Sequence, residues 1–273
     1  MTPLQEKELA LLKEFAAVCD RLQLRYYLVC GSALGAVKYQ GFIPWDDDVD
    51  VALPRKEYEI FLAEAPSMLP PQFFLQDYRS DPAFPAIFAK LRDSNTTFLE
   101  KSASRLNIHH GIYMDIFPLD GYPSGKRDRQ ILELRKKLYR RLLASAYLPD
   151  CFWKKVLYAP LRLAGVLGRT QDILRRYIDM ISDYPPETSE LWANHGNWQG
   201  VLDYAPRVYF AEGKTAVFEG MPVRIPFMAE AYLRRKYGDY RNDPPLCQQI
   251  PHHYADVVDT ETPYTCYLED HAL

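Results

Sequence analysis

The stretch that decides the fold is Cys30-Gly31-Ser32-Ala33-Leu34-Gly35-Ala36 and, four residues later, Gly41-Phe42-Ile43-Pro44-Trp45-Asp46-Asp47-Asp48-Val49-Asp50-Val51. From Asp48 to Leu53 acids and aliphatics alternate, the period of a half-buried strand. Asp48 and Asp50 therefore project from one face, while Val49 and Val51 enter the core. Two carboxylates fixed side by side raise each other's pKa unless a cation sits between them. An all-oxygen pair suits Mg²⁺, which keeps places for phosphate oxygens, and Mn²⁺ shares that ligand chemistry. Asp46 has the same parity and is a further candidate ligand, whereas Asp47 faces the other way. An EF-hand fails at Val51, where that loop needs a glycine.

Working outward, Arg25 to Cys30 is a short β-type run that Gly31-Ser32 cuts off. A glycine and a serine at a strand end present bare backbone N–H groups and a hydroxyl, the equipment for holding a phosphate. Asp115, in Tyr113-Met114-Asp115-Ile116-Phe117, is a third acid with apolar neighbours on both sides, as a strand residue aimed at a site would be.

The opening residues carry Leu4, Leu11, Leu12, Phe15, Val18, Cys19 and Leu22 at helical spacing, which predicts an amphipathic helix. Ala33 to Tyr39 reads as a brief helix and Arg55 to Ala65 as another. Further strands are expected at Phe73 to Asp77, Ala86 to Arg92 and Gly111 to Phe117. From Lys126 to Ile181 the texture changes: 14 Lys and Arg face 5 acids, a net of +9 against −12 for the rest of the chain. Helical spacing there, split by Pro149 and Pro160, predicts two or three helices. The last part, from Val201, carries a hairpin candidate, a helix at Phe227 to Tyr237 and a proline-rich tail. Three regions follow: 1–125 as a catalytic core, 126–200 as a basic helical insertion, and 201–273 closing the cleft.

Composition bounds the function. The 273 residues are 48% hydrophobic and 25% charged with a net charge of −3, which describes an ordinary globular chain and excludes a dedicated nucleic-acid binder. No run approaches the ~20 apolar residues of a membrane span. The start, Met1-Thr2-Pro3-Leu4-Gln5-Glu6, lacks a basic, apolar leader, and the five scattered cysteines form no C-x-x-C pair. Reduced thiols and a cytoplasmic location are expected.

The order strand, Gly-Ser, Asp-x-Asp strand and later lone Asp is similar to that of the nucleotidyltransferase superfamily. The wording is closer still to one branch: the chain resembles the LicD family of phosphocholine transferases and, more distantly, fukutin and fukutin-related protein. The resemblance rests on Gly31 to Val37, on Gly41 to Val51, on Lys90-Leu91-Arg92-Asp93 and on Gly111 to Asp120. It extends through Phe218-Glu219-Gly220, Ala231 to Tyr240 and His252-His253. It implies an α+β fold with a nucleotidyltransferase-like mixed β-sheet core, a helical insertion and a C-terminal helix. It also implies metal-dependent transfer of phosphocholine, or a similar phospho-alcohol, from a CDP-linked donor such as CDP-choline to a hydroxyl of a cell-surface glycan or glycolipid precursor, as in modification of lipopolysaccharide or teichoic acid. Asp48, Asp50 and Asp115 would be catalytic and hold Mg²⁺ with Asp46 beside them. Gly31, Ser32, Lys90, Arg92, His252 and His253 would meet the substrate. Where such sequences commonly keep an arginine before the His-His pair, this chain has Cys247-Gln248-Gln249-Ile250. Two other readings stay open: a nucleotidyltransferase that moves NMP from an NTP, and an inactive binding module on the same fold.

Cys247, Cys266 and the His pair match no standard zinc spacing. Trp45, Tyr113 and Tyr240 are candidates for stacking on a base or a choline. The basic insertion is either the solvated face of its helices or a dock for an anionic membrane or acceptor.

Overall fold

The computed structural model describes residues 1–147, 170–196, 204–251 and 253–268. The expected helices between Pro149 and Arg169, and His252, lie outside the described residues. Helix α1 (Pro3–Arg21) starts where Thr2 and Gln5 cap each other reciprocally and Pro3 occupies the first turn. It buries Leu11, Leu12, Phe15 and Val18 completely and packs across two strands of the sheet defined below, β4 and β6.

Strand β1 (Tyr27–Leu28) is shorter than the sequence suggests, because helix α2 (Cys30–Lys38) already begins at the cysteine. Strand β2 (Asp50–Pro54) runs into α3 (Arg55–Glu64), with Pro54 marking the change. Strands β3 (Phe73–Gln76), β4 (Ala89–Asp93), β5 (Thr97–Glu100) and β6 (Ile112–Tyr122) follow. Then come helices α4 (Lys126–Tyr147) and α5 (Thr170–Ser182), and strands β7 (Leu191–Asn194) and β8 (Tyr204–Pro206). The hairpin β9 (Lys214–Phe218) and β10 (Met221–Ile225), helix α6 (Ala229–Tyr237), strand β11 (Ala255–Asp259) and helix α7 (Thr265–Leu268) complete the chain.

The main sheet is mixed, in the order β1-β2-β6-β4-β3, with β7 joined to β6 and β8 to β7. Strand β6 is its spine and is buried along its whole length. It runs parallel to β2, pairs antiparallel with β4 over Ile112 to Ile116, and pairs with β7 from Leu119 to Tyr122. Pro118, which has no N–H to donate, falls at the changeover between β4 and β7. Leu191–Asn194 and Tyr204–Pro206, read as part of the insertion and its boundary, thus extend the main sheet. The fold is α+β, consistent with a nucleotidyltransferase-like architecture.

Two braces hold the sheet to its helices. Arg55, at the start of α3, donates from Nε and Nη2 to the two oxygens of Asp120 on β6, both at 2.7 Å. Asp120 therefore serves the scaffold. In the β9–β10 turn, Glu219 (φ 47°) and Gly220 (φ 76°) both take the left-handed conformation of a tight hairpin. The Glu219 carboxylate accepts the Phe42 N–H at 3.1 Å, and its backbone N–H donates to the Gln40 carbonyl. A Cβ at Gly41 would lie 2.1 Å from that carboxylate, so a larger residue there would displace it from the Phe42 N–H. The Phe218-Glu219-Gly220 motif clamps the loop that leads into the acidic stretch.

Candidate active site

Register places the chemistry. Asp50 on β2 pairs with Asp115 on β6, and Asp115 pairs with Lys90 on β4, so three side chains of one row face the same side of the sheet. Val51, Ile116 and Leu91, one residue on, face the other way and are fully buried. The row opens into a cleft of about 1190 Å³, lined also by Gly31, Asp46, Asp48, Glu100 and His253. Its lining includes polar and aromatic side chains, Tyr39, Trp45, Lys236 and Tyr240, and an apolar set, Phe84, Phe88, Leu106 and Phe117.

Electrostatics confirm that the carboxylates crowd one another. Burial, then Asp48 and Asp47, pushes Asp46 up to about 8. Burial pushes Asp48 up to about 6, against the pull of His253. Asp50 is raised well above the carboxylate range by burial and by the charges of Asp48, Asp115 and Asp46. Lys90 offsets part of this charge: its Nζ lies 2.9 Å from Asp115 Oδ1 and 3.2 Å from the centre of the Tyr113 ring. That Asp115 oxygen is buried without a well-aligned hydrogen bond, so it retains a lone pair for a ligand. Four oxygen-donor side chains lining one cleft, Asp46, Asp48, Asp50 and Asp115, fit a divalent cation better than they fit one another.

Strand β2 begins only at Asp50, so strand parity does not govern Asp47, which anchors the C-terminal segment. Its Oδ2 accepts the His253 N–H at 3.0 Å, and its Oδ1 is 3.2 Å from His253 Nδ1, with Asp48 Oδ2 at 3.8 Å. Burial opposes charge on this imidazole, but Asp47 and Asp48 outweigh it and raise it to about 9. Asp47, Asp48 and His253 also bring ligand atoms within 4.8 Å of one another, the metal-capable group among the described residues. Among the described residues no cysteine joins it, and Cys247 and Cys266 are exposed.

The sequence-predicted residues separate into those that face the cleft and those that support it. Asp46, Asp48, Asp50, Asp115, Gly31, Lys90 and His253 line it together. Ser32 is buried, and its hydroxyl accepts the Asp50 N–H at 2.8 Å, fixing where β2 begins. Gly31 and Ser32 lie in the first turn of α2, whose N–H groups have no partners within the helix and suit an anion. A Cβ on Gly31 would stand 2.6 Å from Asp46 Oδ2, so that glycine lets the carboxylate approach. Arg92 is placed outside the cleft: it is 1% exposed and donates to Gln76 Oε1 and the Gly111 carbonyl. Its guanidinium sits 4.8 Å over the Tyr113 ring, and Tyr113 is likewise buried rather than cleft-lining. Trp45 and Tyr240 do line the cleft.

Two acids escaped the sequence reading. Glu100 lines the cleft, accepts the Tyr113 hydroxyl at 3.0 Å, and is held below its usual range by Lys90 and Arg92 despite burial. Glu8 on α1 is 1% exposed, and burial, then Asp48 and Asp47, keeps it strongly protonated. Its signal was present, since Leu4, Glu8, Leu12 and Phe15 share the apolar face of α1, where an acid is out of place.

Comparison with known proteins follows the same residues. Residues 23–125, which hold Asp46, Asp48, Asp50 and Asp115, match the family described as LicD/FKTN/FKRP, nucleotidyltransferase domain. The chain is 28% identical to the lipopolysaccharide cholinephosphotransferase LicD of Haemophilus influenzae, over 93% of this chain and 97% of that protein. It also shares 35% identity over 54 residues with an uncharacterized protein of Rickettsia prowazekii, covering 20% of each.

Proposed function

We propose that the protein, whose residues 23–125 match the LicD/FKTN/FKRP nucleotidyltransferase domain, transfers phosphocholine, or a similar phospho-alcohol, from a CDP-linked donor to a hydroxyl of a glycan or glycolipid precursor. The observation that carries the reading is the row Asp50–Asp115–Lys90 across three strands, facing the cleft with Asp48 and Asp46. The near full-length likeness to a cholinephosphotransferase supports the choice of alcohol.

Asp48, Asp50 and Asp115 would hold a divalent cation, Mg²⁺ or Mn²⁺. When bound, it supplies charge neutralisation to the donor diphosphate and to the departing CMP. The protein's own groups do the rest. The N-terminal turn of α2, at Gly31, lines the cleft, and the positive end of the helix there would favour the donor phosphates. Lys90 adds a buried positive charge beside Asp115 and holds that carboxylate in place. The acceptor oxygen attacks the phosphorus that bears the choline, and the bond from that phosphorus to the oxygen of CMP breaks. Asp46, which lines the cleft against Gly31, is placed to take the hydroxyl's proton when its carboxylate is ionised. His253, pinned by Asp47, closes the rim of the cleft. Little covalent help is needed for phosphoryl transfer, so positioning and electrostatics must supply most of the acceleration.

The test is to follow CMP release from CDP-choline by ³¹P NMR with Mg²⁺ and a glycan acceptor preparation, with Asp50→Asn alongside. Metal-dependent CMP formation that the variant lacks supports the reading. Pyrophosphate release from CTP, with CDP-choline untouched, would replace it with NMP transfer.

A further inference from the structure

Helix α4 carries two apolar faces, and the fold uses one of them. Leu132 and Leu143 are buried on the inner side, which packs against α5. On the outer side Arg127, Ile131, Leu134, Leu138 and Arg141 follow one another at intervals of four and three residues, so they share one face. The three aliphatic side chains are 47%, 71% and 55% exposed. Exposed cations flank them: Lys126, Arg127, Arg135, Lys137 and Arg141, with Asp128 the exposed acid of this face. Glu133 is engaged inward, with Lys136 and with the Tyr122 hydroxyl. A solvated helix face has no use for large aliphatics in line, and cations ringing them select a negatively charged, partly apolar partner.

We infer that the outer face of α4 docks on an anionic lipid bilayer, with Ile131, Leu134 and Leu138 entering the headgroup boundary and the flanking cations meeting lipid phosphates. A second copy of the chain is disfavoured as occupant, because a two-fold contact through this face would set five cations against five. The position suits the cleft. Arg140 of α4 donates to the His195 carbonyl at 3.3 Å, and the neighbouring Asn194 and Gly196 line the cleft. Gly196 abuts Phe88 and Phe117, of the apolar set. Helix α4 is thus bonded directly to the segment that lines this part of the cleft. The docking is independent of which alcohol is transferred.

The experiment is co-sedimentation of the full chain with vesicles of phosphatidylcholine alone and with vesicles containing about 30% phosphatidylglycerol, at low and high salt. The wild type is expected to pellet with the anionic vesicles and to be released by salt. Arg135→Glu, Lys137→Glu and Arg141→Glu are each expected to weaken partition by about fivefold, and Leu134→Asp with Leu138→Asp to abolish it. Because these side chains are exposed, unchanged circular dichroism and melting would show that the variants remain folded. Failure to pellet, equal partition onto both vesicle types, or charge-reversed variants that bind like wild type would overturn the proposal. So would sedimentation velocity showing a dimer that the leucine variants dissolve.

Discussion

Without a cation the acidic cleft should work against the fold at neutral pH, and Asp48→Asn should relieve it. The sign follows from the shifts. Asp48 is raised from 3.8 to about 6, so the folded state binds its proton more tightly than the unfolded chain does. Its contribution to stability is greatest below pH 4 and is lost as pH rises through about 6. Asp46, raised to about 8, extends that loss to pH 8, and His253, raised to about 9, extends it further. A shift from 3.8 to about 6 corresponds to about 3 kcal/mol. Because the same repulsion is shared among neighbouring acids, about half of that belongs to Asp48 alone. At ~2–4 °C per kcal/mol for a chain of this size, Asp48→Asn should raise the melting temperature in EDTA at pH 8 by about 3–6 °C and by much less at pH 5. Millimolar Mg²⁺ should raise the wild type more at pH 8 than at pH 5 and leave the variant nearly unmoved. Differential scanning fluorimetry across pH reads both effects. If Asp48→Asn melts lower than wild type in EDTA at pH 8, the carboxylates are not in mutual conflict and the reasoning fails.

Arg55→Met strands the buried Asp120 and should cost about 3–5 kcal/mol in chemical denaturation, whereas Arg55→Met combined with Asp120→Leu should recover most of it. Lys90→Met removes the buried cation beside Asp115 and should lower kcat for CMP release from CDP-choline by about a hundredfold or more, with melting temperature reporting whether the fold survives. Gly31→Ala puts a Cβ 2.6 Å from Asp46 Oδ2 and should lower activity far more than stability, read by comparing turnover with the melt. Glu219→Ala frees the Gln40–Phe42 turn and should cost about 1–2 kcal/mol; urea titration checks it.

The cleft was legible where local pattern carries it. Alternation over Asp48 to Leu53 puts Asp50 in line, and the apolar flanks of Asp115 mark a strand residue, so the pairing of these two acids across parallel strands needed only their adjacency. What the sequence hid is long-range. Strand β5 pairs with β11, about 160 residues away, and β7 and β8 are four- and three-residue additions to a sheet whose spine lies about 70 residues upstream. Lys90 and Arg92 look alike in sequence and share a face of β4, yet one reaches the cleft and the other is sealed beneath Gln76 and Gly111. That difference depends on neighbours from three separate segments. Ser32 likewise reads as a phosphate ligand until the Asp50 N–H claims its oxygen. Glu8 and Glu219 show the converse: an acid on an apolar helix face and an acid in a tight turn are local signals, and both mark groups that serve the acidic cleft.

The central claim is that the four aspartates and Lys90 form a cation-dependent site for a CDP-alcohol. Isothermal titration of the protein with CDP-choline and with CTP, each with and without Mg²⁺, tests it most directly, with Asp50→Asn as the control. Binding of CDP-choline that requires Mg²⁺ and disappears in the variant is the predicted result. Binding of CTP in preference, or CDP-choline binding indifferent to both Mg²⁺ and Asp50, would contradict the account.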